Sequence, residues 1–441
     1  MGVACAPLDT SFRADSMMRD AMFALGLLLS TATQLRLGGA PLGPGEICLV
    51  LWLGLTLRYQ AGQPSFTLNT ALTRVFTFWL ILIVAQSIGT FVGFSTELFF
   101  DTDGIIHDVI AYTLVFCLAC TAAIDLANER RRRRVTWMIV AFAAASFSLQ
   151  VAGAYNWIAL PIDSLVEPWF FDRLRGWSKD PNQLGFLSAC VVLLAIHLAE
   201  TATKRLEMLA AVACAVLAFS VGLLTKSDSY IVCIGIAGIV FLAIKSSQWL
   251  QTSNAGLSLR AASVSIALLS APLFIAAAIP LAPAAIEWTE ERSEEVYNED
   301  SQGDLRLNLW KEALEKGMDA AMLGLGPGPH LMSKAWKRPP PNKFEAHNTP
   351  LDLFTQGGLL AVLALFWLYV STFLTVARAK LAALAALSCA FVVFSMFHFV
   401  VRHPIFWFVI VLCLLEAASR SLRSEELARL QLDGNDRAIR A

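Results

Sequence analysis

The sequence predicts an all-α polytopic membrane protein of about 12 transmembrane helices. Three observations carry this. Of 441 residues, 56% are hydrophobic and only 16% are charged. Apolar runs near the bilayer-crossing length of about 20 residues recur from end to end. Lysine and arginine fall unequally on alternate connections between those runs. A formal net charge of −1 gives no electrostatic reason to expect nucleic-acid binding.

The runs lie at 20–36, 44–58, 74–93, 105–125, 135–154, 181–200, 206–223, 229–245, 261–283, 349–376, 381–400 and 404–419. The first, second, seventh and eighth are short. None is followed by a small-residue cleavage site, so the first reads as a retained anchor. The expected organisation is a tail at 1–19, nine spans within 20–283, a large loop at 284–347, three spans within 348–420 and a tail at 421–441. With the N-terminus inside, cytoplasmic segments carry twenty lysines and arginines, and the short outer loops carry six. Positive residues favour the cytoplasmic side, and an even span count returns the C-terminus there. The run Arg130-Arg131-Arg132-Arg133-Arg134 reads as a topological lock beside anionic headgroups.

Nine cysteines are present, and all but Cys5 lie in apolar runs. Cys117 and Cys120 have C-x-x-C spacing in mid-span. A redox pair needs an accessible thiolate, so small packing residues are the reading. No zinc-type spacing occurs, and no cofactor is implied.

Two outer segments interrupt the apolar rhythm. Residues 155–180 carry Tyr155, Trp157, Trp169 and Trp177, which fits an interfacial aromatic belt. Residues 284–347 open with an acidic stretch, Glu287 to Asp304. Arg306 to Lys316 then reads as a short amphipathic helix with Leu307, Trp310 and Leu314 on one face. A glycine- and proline-rich turn, Gly324 to Pro329, and a proline run at 337–343 follow. A loop this long in a compact membrane protein is usually functional. There is no internal repeat of the transporter kind.

The candidate chemistry sits at the outer rim. Asp180-Pro181 is a helix start, and a helix N-terminus offers free N–H groups and partial positive charge. Arg173, Arg175 and Lys179 beside it would suit a diphosphate, because the guanidinium fork binds phosphate bidentately. Ordinary interfacial snorkelling is the alternative. Arg306 opens the loop helix, either as an anion ligand or as a surface residue paired with Asp304. His347 stands where the loop re-enters the membrane. Its ordinary pKa near 6.5 suits a general base, with Asn348 and Glu345 to orient it; otherwise it is a capping or interfacial residue. Arg402 and His403 would add cationic character to the same face. Asp101-Thr102-Asp103 is a D-x-D, too short by itself to argue for a metal, so no metal site is expected.

Three segments resemble one family. They are Arg175-Gly176-Trp177 through Asp180-Pro181-Asn182 and Leu184-Gly185; Arg306, Trp310 and Ala313-Leu314 with Gly324-Leu325-Gly326 and Gly328; and His347-Asn348 with Leu351 and Gly358-Leu359-Leu360. Their order and spacing resemble the bacterial O-antigen ligase and polysaccharide polymerase superfamily. The resemblance implies a metal-independent glycosyltransferase of the polytopic C-type fold. Its donor would be an undecaprenyl-diphosphate-linked glycan, and its acceptor another lipid-linked glycan (polymerase) or lipid A-core (ligase). Arg175 and Arg306 would hold the diphosphate and His347 would act at the reacting hydroxyl. The membrane and a chain-length regulator are the further partners implied. The bacterial inner membrane is the expected location, with both termini cytoplasmic and the site periplasmic. Pro350 stands where an aromatic is common, and Gln356 where a glutamate is common. A flippase of lipid-linked oligosaccharides is the alternative of another class. Charge at the rim rather than within the spans favours an enzyme.

Overall fold

In the computed structural model, residues 10–36, 42–61, 68–97, 99–159, 161–162, 165–252, 302–332 and 343–440 are described. The run expected at 261–283, the acidic stretch before 302 and the proline run at 337–342 lie outside them. The protein is mostly helical, with 12 α-helices among the described residues. They are α1 (Thr10–Leu29), α2 (Pro44–Ala61), α3 (Thr70–Thr96), α4 (Thr102–Asp125), α5 (Glu129–Ala154), α6 (Pro181–Glu200), α7 (Arg205–Leu224), α8 (Asp228–Thr252), α9 (Gln302–Asp319), α10 (Thr349–Arg378), α11 (Ala382–Ser395) and α12 (Pro404–Arg440). Eight of these are long and apolar enough to cross a membrane: α3 to α8, α10 and α12. The first expected run begins late: the helix there starts at Thr10 and ends at Leu29.

Several starts follow from a polar cap. The side chains of Asn69, Asp101, Asn128, Asp180 and Asn348 accept from Leu72, Gly104, Arg131, Asn182 and Leu351 N–H groups at 2.8, 2.9, 3.1, 2.9 and 3.2 Å. Each satisfies a donor that the first helical turn leaves free. Asp101 of the D-x-D is thus a cap, and its second oxygen accepts from Lys343 N at 2.9 Å.

Helices α6 and α12 are central, with 78% and 67% of their apolar windows buried. The other membrane-length helices bury 22–39% and present apolar surface outward, as a bundle does in lipid. α6 packs on α7, α11, α5 and α8, while α12 packs on α4, α10, α3 and α11. Aromatic rings fill the centre: Trp407 meets Trp79 at 4.8 Å and Phe78 at 5.2 Å between centroids.

The arginine run is a staple as well as a charge block. Arg131 Nε donates to Asp20 Oδ1 at 2.7 Å and Arg134 Nε to Asp20 Oδ2 at 2.6 Å, tying α5 to α1. Arg131 also pairs with Asp125. Arg132, fully buried, reaches Glu416 Oε1 at 2.7 Å and Ser419 Oγ at 2.9 Å on α12. Arg133 reaches Glu207 at 3.0 Å on α7. The lock beside headgroups expected from the sequence leaves out this packing: four of the five arginines face acids on other segments, and Arg130 is exposed.

At the opposite end, α10 breaks. Gly358 has φ +64° and ψ −161° inside the helix, which frees the carbonyls before it. The glycine turn fills the gap: Leu325 and Gly326 N–H donate to Thr355 and Gln356 carbonyls at 2.7 and 2.8 Å, and Leu359 N–H to Met322 O at 2.8 Å. Gly324, Gly326 and Gly328 all have positive φ. A Cβ on Gly93 of α3 would lie 2.3 Å from Leu325 O, so the turn approaches bare backbone.

Candidate functional site

The site is built on three segments at the end of the bundle where α6 and α10 begin. The first is the chain leading into α6. Trp169–Phe170 and Arg173–Leu174 form a short antiparallel hairpin. The Gln34 side chain donates to Gly176 O and Ser178 O at 3.0 and 2.7 Å, and Lys179 N donates to Thr33 Oγ1 at 2.8 Å. Gly176 has φ +56°, and a Cβ there would lie 1.9 Å from Gln150 Oε1. That explains glycine between Arg175 and Trp177.

The cations of this segment differ. Arg173 is spent on structure: Nε donates to Thr225 O at 3.1 Å and Nη2 to Asn182 Oδ1 at 3.0 Å. Lys179 is exposed. Arg175 donates to Glu167 O at 2.8 Å and pairs with the Glu167 carboxylate, while its guanidinium lies 5.6 Å from the Phe170 ring centroid. The Glu167 side chain is 84% exposed, so Arg175 is held by a partner that solvent already reaches.

The second segment is α9. Of the expected apolar face, Trp310 packs inward and Leu307 and Leu314 do not. Leu309 and Ala313 are buried with Leu331, Phe344 and Ala346, and Trp310 packs against them. Leu307 and Leu314 are exposed at 62% and 50%. Trp310 Nε1 donates to Ala346 O at 3.0 Å, which fixes the backbone one residue before His347. Arg306 is half-buried, and among the described residues no hydrogen bond or ion pair engages it. A clamp holds the far end of α9: Glu97 accepts from Lys343 Nζ at 2.5 Å, with His330 and Lys316 at 3.3 and 3.4 Å. Burial alone would raise the Glu97 pKa, but hydrogen bonds and charge from His330 and Lys343 bring it down to about 2.

The third segment is 343–348. Ala346 and Asn348 N–H groups donate to the two oxygens of Asp352 at 2.7 and 3.1 Å. His347, between them, takes φ +52° and is exposed. A non-glycine residue in this backbone region is uncommon and often functional. Desolvation by the packed elements, with the charges of Arg306 and Arg402, lowers the His347 pKa against the opposing pull of Glu345 and Asp180. The imidazole is therefore neutral at neutral pH and has a lone pair to offer. Asn348 is placed as the α10 cap; its Nδ2 donates to Met396 O at 3.0 Å.

Arg402 and His403 reach the site from the turn before α12. Arg402 pairs with Asp108 and, at 2.7 Å, with Glu345. Glu345 is thus directed to Arg402. His403 adds no positive charge, contrary to expectation: burial and the neighbouring Arg402 push its pKa to about 3. His398, which the apolar pattern puts inside a span, lies in this turn. Burial first, then Arg306 and His347, bring its pKa to about 3. Sequence reasoning missed Asp352 and Asp108, and it set His398 aside as a weaker histidine inside a span. The signal for Asp108 was an ionisable residue inside an apolar run. Asp352 and His398 gave the same signal, and their roles followed only from the α10 cap and the turn before α12.

The fold and site define a polytopic membrane protein with a histidine and unshielded or lightly shielded arginines gathered at one end of its bundle. Residues 213–366 match the family model described as O-antigen ligase, so the resemblance to the O-antigen ligase and polymerase superfamily holds over that stretch. The match takes in Arg306, the glycine turn and His347, and it supports the lipid-linked glycan polymerase and ligase class. No curated protein matches the chain.

Proposed function

We propose that this protein is a polysaccharide polymerase. It transfers a glycan from undecaprenyl diphosphate to a sugar hydroxyl of another lipid-linked repeat unit, in one inverting step without a metal. The observation that carries the reading is an exposed His347 with positive φ at the start of α10, kept neutral by desolvation and by the charge of Arg306. The diphosphate is a good leaving group and needs no general acid. Arg306 and Arg175 neutralise the charge that grows as the anomeric C–O bond breaks. His347 takes the proton of the incoming hydroxyl, which attacks from the opposite face. The bond to the diphosphate breaks as the new glycosidic bond forms. Anchoring both substrates at the membrane surface supplies the orientation.

The matched description favours a second reading, an O-antigen ligase with lipid A-core as acceptor. Donor side and base are the same in both, and an acceptor swap in vitro separates them. The lysine and arginine asymmetry supports an inner-membrane orientation with cytoplasmic termini and a periplasmic site.

The test is transfer by purified protein from a lipid-linked donor. His347→Ala is expected to lose about 10² to 10⁴-fold in rate while the protein still inserts and folds; near-wild-type transfer would remove the base role. Protonation removes the base. Since the His347 pKa lies below the ordinary 6.5, transfer should persist below pH 6.5 and fail only at more acid pH. EDTA should leave the rate unchanged, and a loss restored by magnesium or manganese would overturn the metal-free step.

A further inference from the structure

Resting on the transfer reading above, we propose that Arg402 is a positioning residue for His347, anchored from inside the bundle by Asp108. Arg402 spans the two regions. Nη1 pairs with Asp108 Oδ1, and Nη2 donates to Glu345 Oε2 at 2.7 Å. Its guanidinium also stacks 4.5 Å from the Phe399 ring centroid. With both terminal nitrogens committed to carboxylates, Arg402 has no free fork edge for phosphate, unlike Arg306.

Asp108 is fully buried in α4, and its second oxygen gathers the other site segments. It accepts from Gly328 N at 3.2 Å and from Gln356 Nε2 at 3.0 Å. Gln356 in turn accepts from Tyr112 Oη at 2.5 Å and Gln86 Nε2 at 3.2 Å. One carboxylate therefore joins α4, the end of the glycine turn, the unbroken start of α10 and the turn before α12. A charge at this depth is costly unless every lone pair is used, and here the partners lead outward to the histidine segment. Glu345 stands two residues before His347, with Trp310 and Asp352 fixing the peptide groups between them.

The charged and titratable groups near His347 are Glu345 on its own segment, Asp352 at the start of α10, Asp180 at the start of α6, Arg306 on α9, and Arg402 and His398 on the turn before α12. Arg402 disfavours protonation of His347 and Glu345 favours it. Their removal therefore moves the acid limb of the rate profile in opposite directions, which a purely structural role would not do.

The experiment uses the full chain in lipid with an undecaprenyl-diphosphate-linked oligosaccharide donor. Arg402→Gln should lower kcat about tenfold or more, change donor KM little, and move the acid limb to higher pH. Glu345→Gln should move that limb to lower pH. Glu345 is at the surface end of the relay, so this variant keeps the proposal testable if the buried ones fail to fold. Asp108→Asn should match Arg402→Gln in kcat, and the double variant should be no worse than either, as expected of a single unit. A donor KM effect with unchanged kcat would make Arg402 a substrate ligand and overturn the proposal. So would acid limbs that stay in place or losses that multiply. If His347→Ala is inactive while these variants behave as wild type, only the positioning fails; if His347→Ala is active, the transfer reading fails.

Discussion

The two ends of the bundle both carry arginines, and they differ in how those arginines are paired with acids. At the end where α5 begins, Arg131 to Arg134 are met by Asp20, Asp125, Glu207 and Glu416, acids from other helices or from the residues just before α5. At the other end Arg306 has no partner among the described residues, and Arg175 holds one exposed glutamate. Arginine count does not separate a structural end from a functional one. What differs is that the site end leaves Arg306 and Arg175 without a buried acid, while Arg402 beside them is paired with the buried Asp108 of α4.

The sharpest way to break this contrast is Arg132→Ala. It leaves Glu416 without its buried partner and should cost about 3–5 kcal/mol of stability, read as a fall in melting temperature of the purified protein. An unchanged melting temperature would mean that the staple is decorative. Next in size are Arg306→Lys and Arg175→Lys. Both keep the charge and lose the fork, so transfer should drop about tenfold while stability holds. Full activity in both would reduce these arginines to general electrostatic attraction. The smallest effect is expected from Glu167→Gln. Freed from an exposed competitor, Arg175 should bind donor more readily, lowering KM about two- to fivefold. A raised KM would instead make Glu167 part of the arginine's support.

Much of the bundle was legible because bilayer-length apolar runs and polar caps are local signals. Asp180-Pro181 starts α6, and Asn348 starts α10, where the residues alone put them. Of the candidate site, the position of His347 at a helix entrance was readable. The charged shell around it was not, since Asp180, Arg306 and Arg402 meet only through tertiary packing. The face of α9 was misread for a related reason. Leu307 and Leu314 look like the apolar stripe, but the partner surface comes from Leu331, Phe344 and Ala346, beyond the helix itself. Arg131 to Arg134 contribute to the charge asymmetry of the sequence and gave no hint of their acids, which lie up to 284 residues away.

The break in α10 bears on how the protein is made. Its mend uses residues 322–326 and 355–359, set against Gly89 and Gly93 of α3. Contacts so distant in sequence form only after the intervening chain exists. α3 must therefore wait, its glycine groove unfilled, through the insertion of every helix up to α10. The segment that carries His347 is then seated in the last steps of biosynthesis. A chain stalled before α10 would hold a membrane bundle with its staples partly in place and without the assembled site proposed for transfer.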